Sequence, residues 1–326
     1  MIDVVIKSYN RAYLLDRTIY SVLFFAKNIG DIIVLDDGTP EIYLTHLKSK
    51  YPNIIVKQSN VNLDSNTKSA PPVQFWKQEI DKCSRYVLLL EDDIWLNQEV
   101  DFAELEFFLG DNKIDFFKLK WWGNDRMISG EFVQEKDKKN GRLIPKLNFL
   151  SEVLVTNRYY IHTIARLLKI IPQDYFLSLY TIYDVAGQVF SKDYYNYVWP
   201  DSQISIEEMI QLGLGAKYFR LHKDRNVGRS LHEMCSTTFC SSSVGKIEKY
   251  GFNMDDYNDI WNKNWKEGKL NSLYQFPMDF TLGYLKQFLT SSENVDKWEN
   301  WSISWRKHFI ELGSDLSQYN NINELQ

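Results

Sequence analysis

The chain has 326 residues with 44% hydrophobic and 15% aromatic content, enough for one extended α/β domain with an appendage or for two small domains. Its formal net charge is −5 at pH 7 and it has no basic stripe, which argues against a nucleic-acid partner. No apolar run approaches the ~18 residues of a membrane-spanning helix.

The first forty residues predict a strand, a helix and a second strand. Residues 3–6 (DVVI) are a β-branched run, and the polar sequence SYNR follows at 8–11. Residues 12–26 carry apolar side chains at helical spacing, and Gly30 stops this helix. Residues 32–35 (IIVL) predict the second strand, which ends in the sequence DDGT.

The same alternation continues to about residue 90. Residues 54–56 predict a third strand that ends in polar residues near 59–62, and Pro72 opens a helix that extends to about Lys82. Residues 86–90 (YVLLL) predict the fourth strand. Alternating strands and helices indicate right-handed crossovers and a mostly parallel sheet. The four polar strand ends would then share one edge of the sheet, where α/β proteins bind ligands.

Three consecutive carboxylates, Glu91, Asp92 and Asp93, follow the fourth strand directly. Acids placed this closely repel one another unless a cation or a ligand compensates their charge. Hard oxygen ligands select Mg²⁺ or Mn²⁺, often bridged to phosphates. The triplet therefore indicates a metal site, with a solvated acidic turn as the alternative.

The amino-terminal part of the chain resembles that of GT-A glycosyltransferases, which use nucleotide sugars. The resemblance rests on three motifs in order: a strand followed by SYNR and a helix, then IIVLDDGT, then VLLLEDD. The second strand end is similar to that of the large inverting bacterial family with Asp-Asp-Gly-Ser. The Glu-Asp-Asp triplet is closer to N-acetylglucosaminyltransferases that use such a triplet as their metal motif. The likeness covers residues 1–100 well and 200–235 loosely, and residues 60–72 lack the glycine and small-residue pattern of the family. It implies a GT-A fold, with a mostly parallel sheet flanked by helices.

The resemblance implies that the first two strand ends bind the nucleotide. Asp36 or Asp37 would accept a hydrogen bond from a pyrimidine N–H, while one of the two could serve only an Asx turn. Arg11 would pair with the diphosphate through its planar fork, with a surface charge at the helix entry as the alternative. Asn10 could merely cap the helix, and Ser8 belongs to the same expected site.

The resemblance also implies a divalent cofactor, Mn²⁺ or Mg²⁺. Asp93 would be the direct ligand, with Glu91 and Asp92 contacting metal-bound water or the ribose. The metal would stabilise the nucleoside-diphosphate leaving group as a Lewis acid.

The middle of the chain predicts further elements. Residues 115–122 (DFFKLKWW) predict a strand, residues 124–146 a hairpin or loop, residues 148–155 a strand, and residues 159–171 a helix. In the resembled family such strands flank the acceptor pocket. The adjacent tryptophans at 121–122 could stack on a sugar, or they could be buried in the core.

Glu208 is the expected general base. Residues 205–212 predict a helix, stopped by Gly213 and Gly215, in which Ser205 and Glu208 form a capping box. In inverting transferases an acidic pair lies at a helix start here, and its second acid deprotonates the acceptor. The resemblance aligns Glu208 with that second acid and Glu207 with the first.

The segment that follows predicts a strand at 216–221 and then the sequence NVGRSLHEM at 226–234. In many GT-A enzymes a histidine after the base helix completes the metal or diphosphate site, and His232 is the better candidate, ahead of His222. A surface histidine is the alternative. Arg225 and Arg229 could neutralise the leaving diphosphate.

From about Asn253 the chain becomes helical and rich in tryptophan. We expect a catalytic domain at 1–250, with a nucleotide-sugar half (1–100) and an acceptor half (101–250), and a helical extension at 251–326. The tryptophans either pack over the catalytic domain or touch a membrane that carries a lipid-linked acceptor.

The expected compartment is the cytoplasm, with peripheral membrane contact as an alternative. We expect no signal peptide, because the first predicted strand starts at residue 2. The cysteines, Cys83, Cys235 and Cys240, are too few for a disulfide framework and fit no zinc motif.

Together these features predict a metal-dependent, inverting glycosyltransferase of polysaccharide biosynthesis. It would move a sugar from a nucleoside-diphosphate donor, with UDP favoured, to a glycan or glycolipid hydroxyl. The alternatives are a nucleotidyltransferase that makes nucleotide sugars, against which the glycine-free SYNR loop counts, and a non-catalytic carbohydrate-binding relic.

Overall fold

The computed structural model describes residues 1–59, 72–137, 141–156, 160–171, 175–201, 208–242, 247–289, 292–317 and 319. Its strands are β1 (Ile2–Ser8), β2 (Ala26–Lys27), β3 (Ile29–Asp36), β4 (Ile55–Gln58), β5 (Tyr86–Glu91), β6 (Ile94–Leu96), β7 (Val100–Asp101), β8 (Ile114–Lys118), β9 (Val133–Asp137), β10 (Arg142–Pro145), β11 (Gln188–Ser191), β12 (Asn226–Arg229) and β13 (Cys235–Thr237).

The helices alternate with these strands through most of the chain. They are α1 (Ala12–Phe25), α2 (Glu41–Lys50), α3 (Val73–Ile80), α4 (Phe102–Asp111), α5 (Phe149–Val155), α6 (Ile161–Leu167), α7 (Lys192–Val198), α8 (Glu208–Leu221), α9 (Met254–Lys266), α10 (Leu282–Lys286) and α11 (Ser292–Glu311). Short 3-10 helices cover Asp125–Met127, Tyr175–Thr181 and Ile247–Tyr250.

Nine strands of the described residues form one sheet in the order β4-β3-β1-β5-β11-β8-β12-β10-β9. β4, β3, β1 and β5 are parallel neighbours, and so are β8 and β12. β11 runs antiparallel between β5 and β8, and β10 pairs antiparallel with β12 and β9. The expected α/β architecture, a mostly parallel sheet flanked by helices, is confirmed, as is the hairpin expected within 124–146.

Alternate residues of β1 enter two different cores. Val4 and Ile6 belong to the core that includes α1, α4 and α9–α11, whereas Val5 belongs to the core that includes α3, α7 and α8. Successive strand residues point to opposite faces, so a strand that is covered on both faces needs apolar residues at every position. The unbroken apolar run at 86–90 in β5 is explained in the same way, since that strand is also covered on both faces.

Two predicted strands are helices. Residues 149–155 form α5, because Asn148 accepts a hydrogen bond from Ser151 N (2.9 Å) and the two residues complete a capping box. Residues 216–221 belong to α8, which continues through Gly213 and Gly215. A Cβ at Gly213 would lie 2.8 Å from Thr156 Cγ2, and one at Gly215 2.5 Å from the Tyr194 hydroxyl. These glycines allow close packing and do not stop the helix.

The C-terminal helices pack against α1. Arg17 of α1 is fully buried and donates to the carbonyl oxygens of Ser272 (2.7 Å), Tyr274 (3.2 Å) and Met278. Its guanidinium lies 4.5 Å from the centre of the Trp95 ring. Residues from both sides of position 250 therefore share one core, and the division into two domains stays a prediction.

The tryptophans at 261, 298 and 301 are fully buried, and the one at 265 is nearly so. These four tryptophans pack in the protein interior, and Trp305 is half-buried. Contact of the C-terminal region with a membrane stays a prediction. No helix in the described part of the chain has both the length and the apolar character needed to cross a bilayer.

Candidate active site

The acid triplet lies at the carboxyl end of β5 and is balanced by two cations of the chain itself. Lys7 Nζ lies 2.9 Å from Glu91 Oε1. The Arg11 guanidinium lies 2.6 Å from Asp92 Oδ1 and 2.6 Å from Asp93 Oδ2. The charge compensation that the sequence analysis assigned to a metal is thus supplied in part by Lys7 and Arg11. A diphosphate would have to compete with these two carboxylates for Arg11.

Asp92 connects the ends of β1 and β5. Its Oδ2 accepts hydrogen bonds from Ser8 Oγ (3.2 Å) and Tyr9 N (3.0 Å), and its carbonyl oxygen accepts one from Thr18 Oγ1 (2.7 Å). The residue is fully buried. Two donors engage Oδ2, while Oδ1 lies in ion-pair contact with Arg11 and accepts no hydrogen bond from the described residues. Asp92 and Ser8 therefore hold the strand ends together.

At the end of β3 the two aspartates have different surroundings. Asp36 Oδ2 accepts from Gly38 N (3.2 Å) and Thr39 N (3.0 Å), so Asp36, rather than Asp37, closes the turn. Its Oδ1 is buried and has no partner among the described residues. Burial raises the pKa of Asp36 to about 6. Asp37 accepts a hydrogen bond from the Ser59 hydroxyl.

Asn10 does not cap α1. Its side chain donates to Asp259 Oδ1 (2.8 Å) and accepts from Asn262 Nδ2 (3.2 Å), and both partners lie on α9. The cap position itself is held by Arg11, whose side chain makes no capping hydrogen bond. Asn10 therefore joins the first strand end to the C-terminal helices.

Lys120 is a site residue that the sequence analysis did not identify. It is 1% exposed, and its Nζ lies 3.4 Å from the centre of the Trp122 ring. Burial lowers the pKa of Lys120, and the negative charges of Asp184, Asp93 and Glu91 oppose this shift. No carboxylate or carbonyl within the described ranges accepts a hydrogen bond from its ammonium group. The sequence did contain a signal for a buried lysine, because the otherwise apolar segment FFKLK holds two lysines.

Glu208 begins α8 and lies on the same side of the molecule as the triplet. Burial raises the pKa of Glu208, the charge of Asp184 raises it further, and a hydrogen bond from Tyr180 and the charge of Lys118 lower it. The negative charge of Glu91 also raises the pKa of Glu208. Buried Lys118 contacts two neighbours of Glu208. Its Nζ lies 3.1 Å from Asp184 Oδ2 and donates to the Tyr180 carbonyl (2.9 Å). Glu207, the expected first acid, lies outside the described residues.

Other expected residues lie apart from the triplet. His232 is exposed, and its carbonyl oxygen accepts from Ser230 Oγ (2.6 Å). Arg229 pairs with Glu135 (3.0 Å). His222 stacks on Tyr218, and Arg225 pairs with Asp115, so these two residues have structural partners.

The residues present fit a divalent cation only in part. Asp93 Oδ1 and Glu91 Oε2 accept no hydrogen bond from the described residues, and carboxylate oxygens are what Mn²⁺ and Mg²⁺ prefer. His232 is not beside them. Within the part of the chain that the structure describes, no three His, Cys, Asp or Glu side chains form a metal-binding group. The protein would thus supply one or two ligands, as it commonly does when substrate phosphates supply others.

A cavity of about 340 Å³ lies beyond Lys118, toward the β9–β10 hairpin. Its lining includes Trp121, Asp125, Ser129, Glu135, Arg229 and Leu231. Arg229, which lines the cavity, is the register partner of Lys118 in the neighbouring strand. Trp122 does not line it, because its ring stacks on Phe309 with 4.6 Å between ring centres.

Comparison with known proteins gives distant structural likenesses only. No protein-family model matches the chain, and no curated protein matches it. S. aureus TarS 1-349 is 12% identical with a TM-score of 0.43, over 94% of this chain and 92% of that one. Glucosyl-3-phosphoglycerate synthase from Mycobacterium tuberculosis, in complex with Mn²⁺, UDP and phosphoglyceric acid, is 13% identical with a TM-score of 0.42, over 84% and 80%.

A third likeness is to the bifunctional glycosyltransferase WbbM, which is 15% identical with a TM-score of 0.38. It covers 70% of this chain but 38% of that one. Likenesses at these TM-scores carry no functional assignment, and the function is inferred from the residues of the site.

Proposed function

We propose that the chain is a GT-A glycosyltransferase that transfers a sugar from a nucleoside-diphosphate donor to a saccharide hydroxyl. The observation that carries this proposal is the acid triplet at the carboxyl end of β5, with buried Lys120 just beyond the end of β8 in the same sheet and Glu208 near enough to be influenced by the charge of Glu91. One edge of the sheet collects the carboxyl ends of β1, β3, β5 and β8, where α/β proteins bind ligands. The resemblance of residues 1–100 to nucleotide-sugar enzymes supports the same reading.

The nucleotide would lie across the ends of β3 and β1. Asp37 and the Oδ1 of Asp36, which accepts no hydrogen bond from the described residues, would be the acceptors for the N–H of a pyrimidine such as uracil. Asp93 and Glu91 would hold Mn²⁺ or Mg²⁺, which supplies Lewis-acid stabilisation of the diphosphate when bound. Lys120 faces the same carboxylates and would neutralise charge that develops on the departing diphosphate.

Glu208 would act as the base of a single displacement. The acceptor oxygen attacks the anomeric carbon, the bond from that carbon to the diphosphate oxygen breaks, and the electron pair leaves with the nucleoside diphosphate. The acceptor proton passes to the Glu208 carboxylate. Attack opposite the leaving group inverts the anomeric configuration. Tyr180 and Lys118 favour the ionised form that a base requires.

The acceptor would occupy the cavity beside Lys118. A base must lie within hydrogen-bond reach of the proton it removes, so the acceptor must approach on the Glu208 side. An indole, carboxylates, a hydroxyl and a guanidinium line this cavity, a mixture suited to a glycan or to the saccharide of a glycolipid. Arg229 is therefore assigned to the acceptor side and not to the diphosphate.

The experiment is a thermal-shift screen of UDP-, GDP- and dTDP-sugars with Mn²⁺ and with EDTA, followed by product analysis by NMR. A stabilising nucleotide sugar and a product of inverted anomeric configuration are expected. Stabilisation by a nucleoside triphosphate with release of pyrophosphate from a sugar phosphate would instead indicate a nucleotidyltransferase. Failure of every nucleotide to stabilise the chain would overturn the proposal.

A further inference from the structure

One face of α6 is apolar and exposed. Ile164 and Leu167 are three residues apart on α6, so their side chains are neighbours on one side of the helix. Tyr160 and Leu168 flank the two ends of α6, and Ile170 follows. The exposed fractions are 73% for Tyr160, 50% for Ile164, 78% for Leu167, 65% for Leu168 and 70% for Ile170. We call these five residues the apolar stripe. Surface helices normally turn such a stripe toward the core, whereas here the buried side chain is that of His162.

The apolar stripe is fixed to the catalytic part of the fold. α5 packs against both α6 and α8, and an ion pair between Glu152 of α5 and Arg220 of α8 (2.7 Å) holds the two helices together. Phe149 and Leu150, at the start of α5, are also exposed. Clustered exposed apolar side chains of this size mark an interaction site more often than a plain solvent surface.

The charges around the stripe identify the kind of surface that it fits. Residues 156–173 contain no Asp or Glu, although the whole chain carries a net charge of −5. Arg166 and Lys169 lie next to residues of the apolar stripe in the chain and are exposed. A cationic helix with an apolar side complements an anionic lipid surface, because the apolar side chains enter the acyl boundary while the cations meet the headgroups.

We propose that the apolar stripe docks α6 onto an anionic membrane surface, with the helix lying in the plane of the headgroups. The observation is independent of the catalytic assignment, since it uses no residue of the candidate active site. In this proposal the apolar stripe, and not the buried tryptophans of the C-terminal region, is the membrane-facing part of the chain.

The experiment measures binding of the full chain to phosphatidylcholine vesicles with and without phosphatidylglycerol, by cosedimentation. Leu167→Ser with Leu168→Ser should weaken binding to the anionic vesicles at least about tenfold, because two leucine side chains no longer enter the lipid. Arg166→Gln with Lys169→Gln should weaken it about tenfold or more and reduce its salt dependence. Both pairs are exposed, so melting temperatures should stay at the parental value.

Phe107→Ser is the matched control. Phe107 is 75% exposed on α4, outside the stripe, and its loss should leave vesicle binding unchanged. Absence of binding to the anionic vesicles, or equal binding by the Leu167→Ser/Leu168→Ser variant, would overturn the proposal. So would lipid-free self-association by analytical ultracentrifugation that this double variant abolishes, because the stripe would then contact a second copy of the chain.

Discussion

Arg11 Nη1 and Asp93 Oδ2 lie 2.6 Å apart, although 82 residues separate them in the chain. The other terminal nitrogen of Arg11 engages Asp92. One guanidinium thus ties the start of α1 to the end of β5 and holds two of the three acids in place. Removing one partner of a buried ion pair is costly because the remaining charge has no compensation.

Arg11→Met should lower the free energy of unfolding by about 3–5 kcal/mol, measured by urea denaturation. Adding Asp93→Asn to this variant should recover part of the loss, because one uncompensated carboxylate disappears. Arg85→Met, at an exposed arginine, should change stability by no more than about 0.5 kcal/mol. A loss below about 1 kcal/mol in Arg11→Met would mean that the triplet does not depend on Arg11.

Asp93→Asn should remove the metal dependence of donor binding. With Mn²⁺ present, a nucleotide at 100 times its dissociation constant should stabilise the parent by ~2.7 kcal/mol. EDTA or Asp93→Asn should reduce this stabilisation, whereas Asp111→Asn, at an exposed helix end, should not. Equal stabilisation of the parent in Mn²⁺ and in EDTA would show that the triplet works without a metal.

Lys120→Met should weaken nucleotide binding while leaving the fold intact. A lost charge-assisted hydrogen bond is worth about 1.5–3 kcal/mol, which corresponds to a roughly 10–100-fold higher dissociation constant by calorimetry. The melting temperature without nucleotide should stay level or rise, because a buried ammonium is costly to desolvate. Lys113→Met, at an exposed lysine paired with Asp224, is the control. An unchanged dissociation constant in Lys120→Met would remove Lys120 from the donor site.

Glu208→Gln should lower turnover by ~10²–10⁴-fold, because the amide cannot accept the acceptor proton. Donor binding and melting temperature should stay close to the parental values. Glu207→Gln, at the preceding residue of the chain, provides the neighbouring comparison. If Glu207→Gln is the inactive variant, the base is the other acid. If both variants are active, the transfer uses no carboxylate from this pair.

Tyr180→Phe should move the acid limb of the pH profile of kcat/KM toward higher pH. Burial already raises the pKa of Glu208 above its ordinary 4.5, and the Tyr180 hydroxyl opposes the shift by donating to the carboxylate. Without that donor the pKa rises further, so a smaller fraction of the base is ionised at any given acidic pH. Activity well above the limb should change little. An unmoved limb would mean that Glu208 is not the group that titrates.

The sequence predicted three strands within residues 1–100 because each is a short, mostly buried run with a polar end. β1, β3 and β5 follow that pattern, and the parallel sheet brings their ends together. It could not predict α5 or the full length of α8. Seven residues are too few to separate helical from strand periodicity, and the role of Gly213 depends on contact with distant Thr156.

The candidate site was predictable where residue type alone carries the chemistry, as in the acid triplet and Glu208. It was not predictable where long-range contacts decide the role. Arg11 looks like a diphosphate ligand until its two carboxylate partners are seen, and Lys120 acquires significance only through its burial. His232 fits its motif position, but the fold places it at the surface.

The burial of Arg17 under Trp95 makes the C-terminal helices a structural requirement of the first helix. Three carbonyl oxygens from 272–278 accept hydrogen bonds from the terminal nitrogens of this guanidinium. A chain cut near residue 250 would leave a buried cation without acceptors directly behind the helix whose first turn carries Arg11. The C-terminal region therefore cannot be exchanged as a module between proteins of this fold unless its 272–278 turn is carried along.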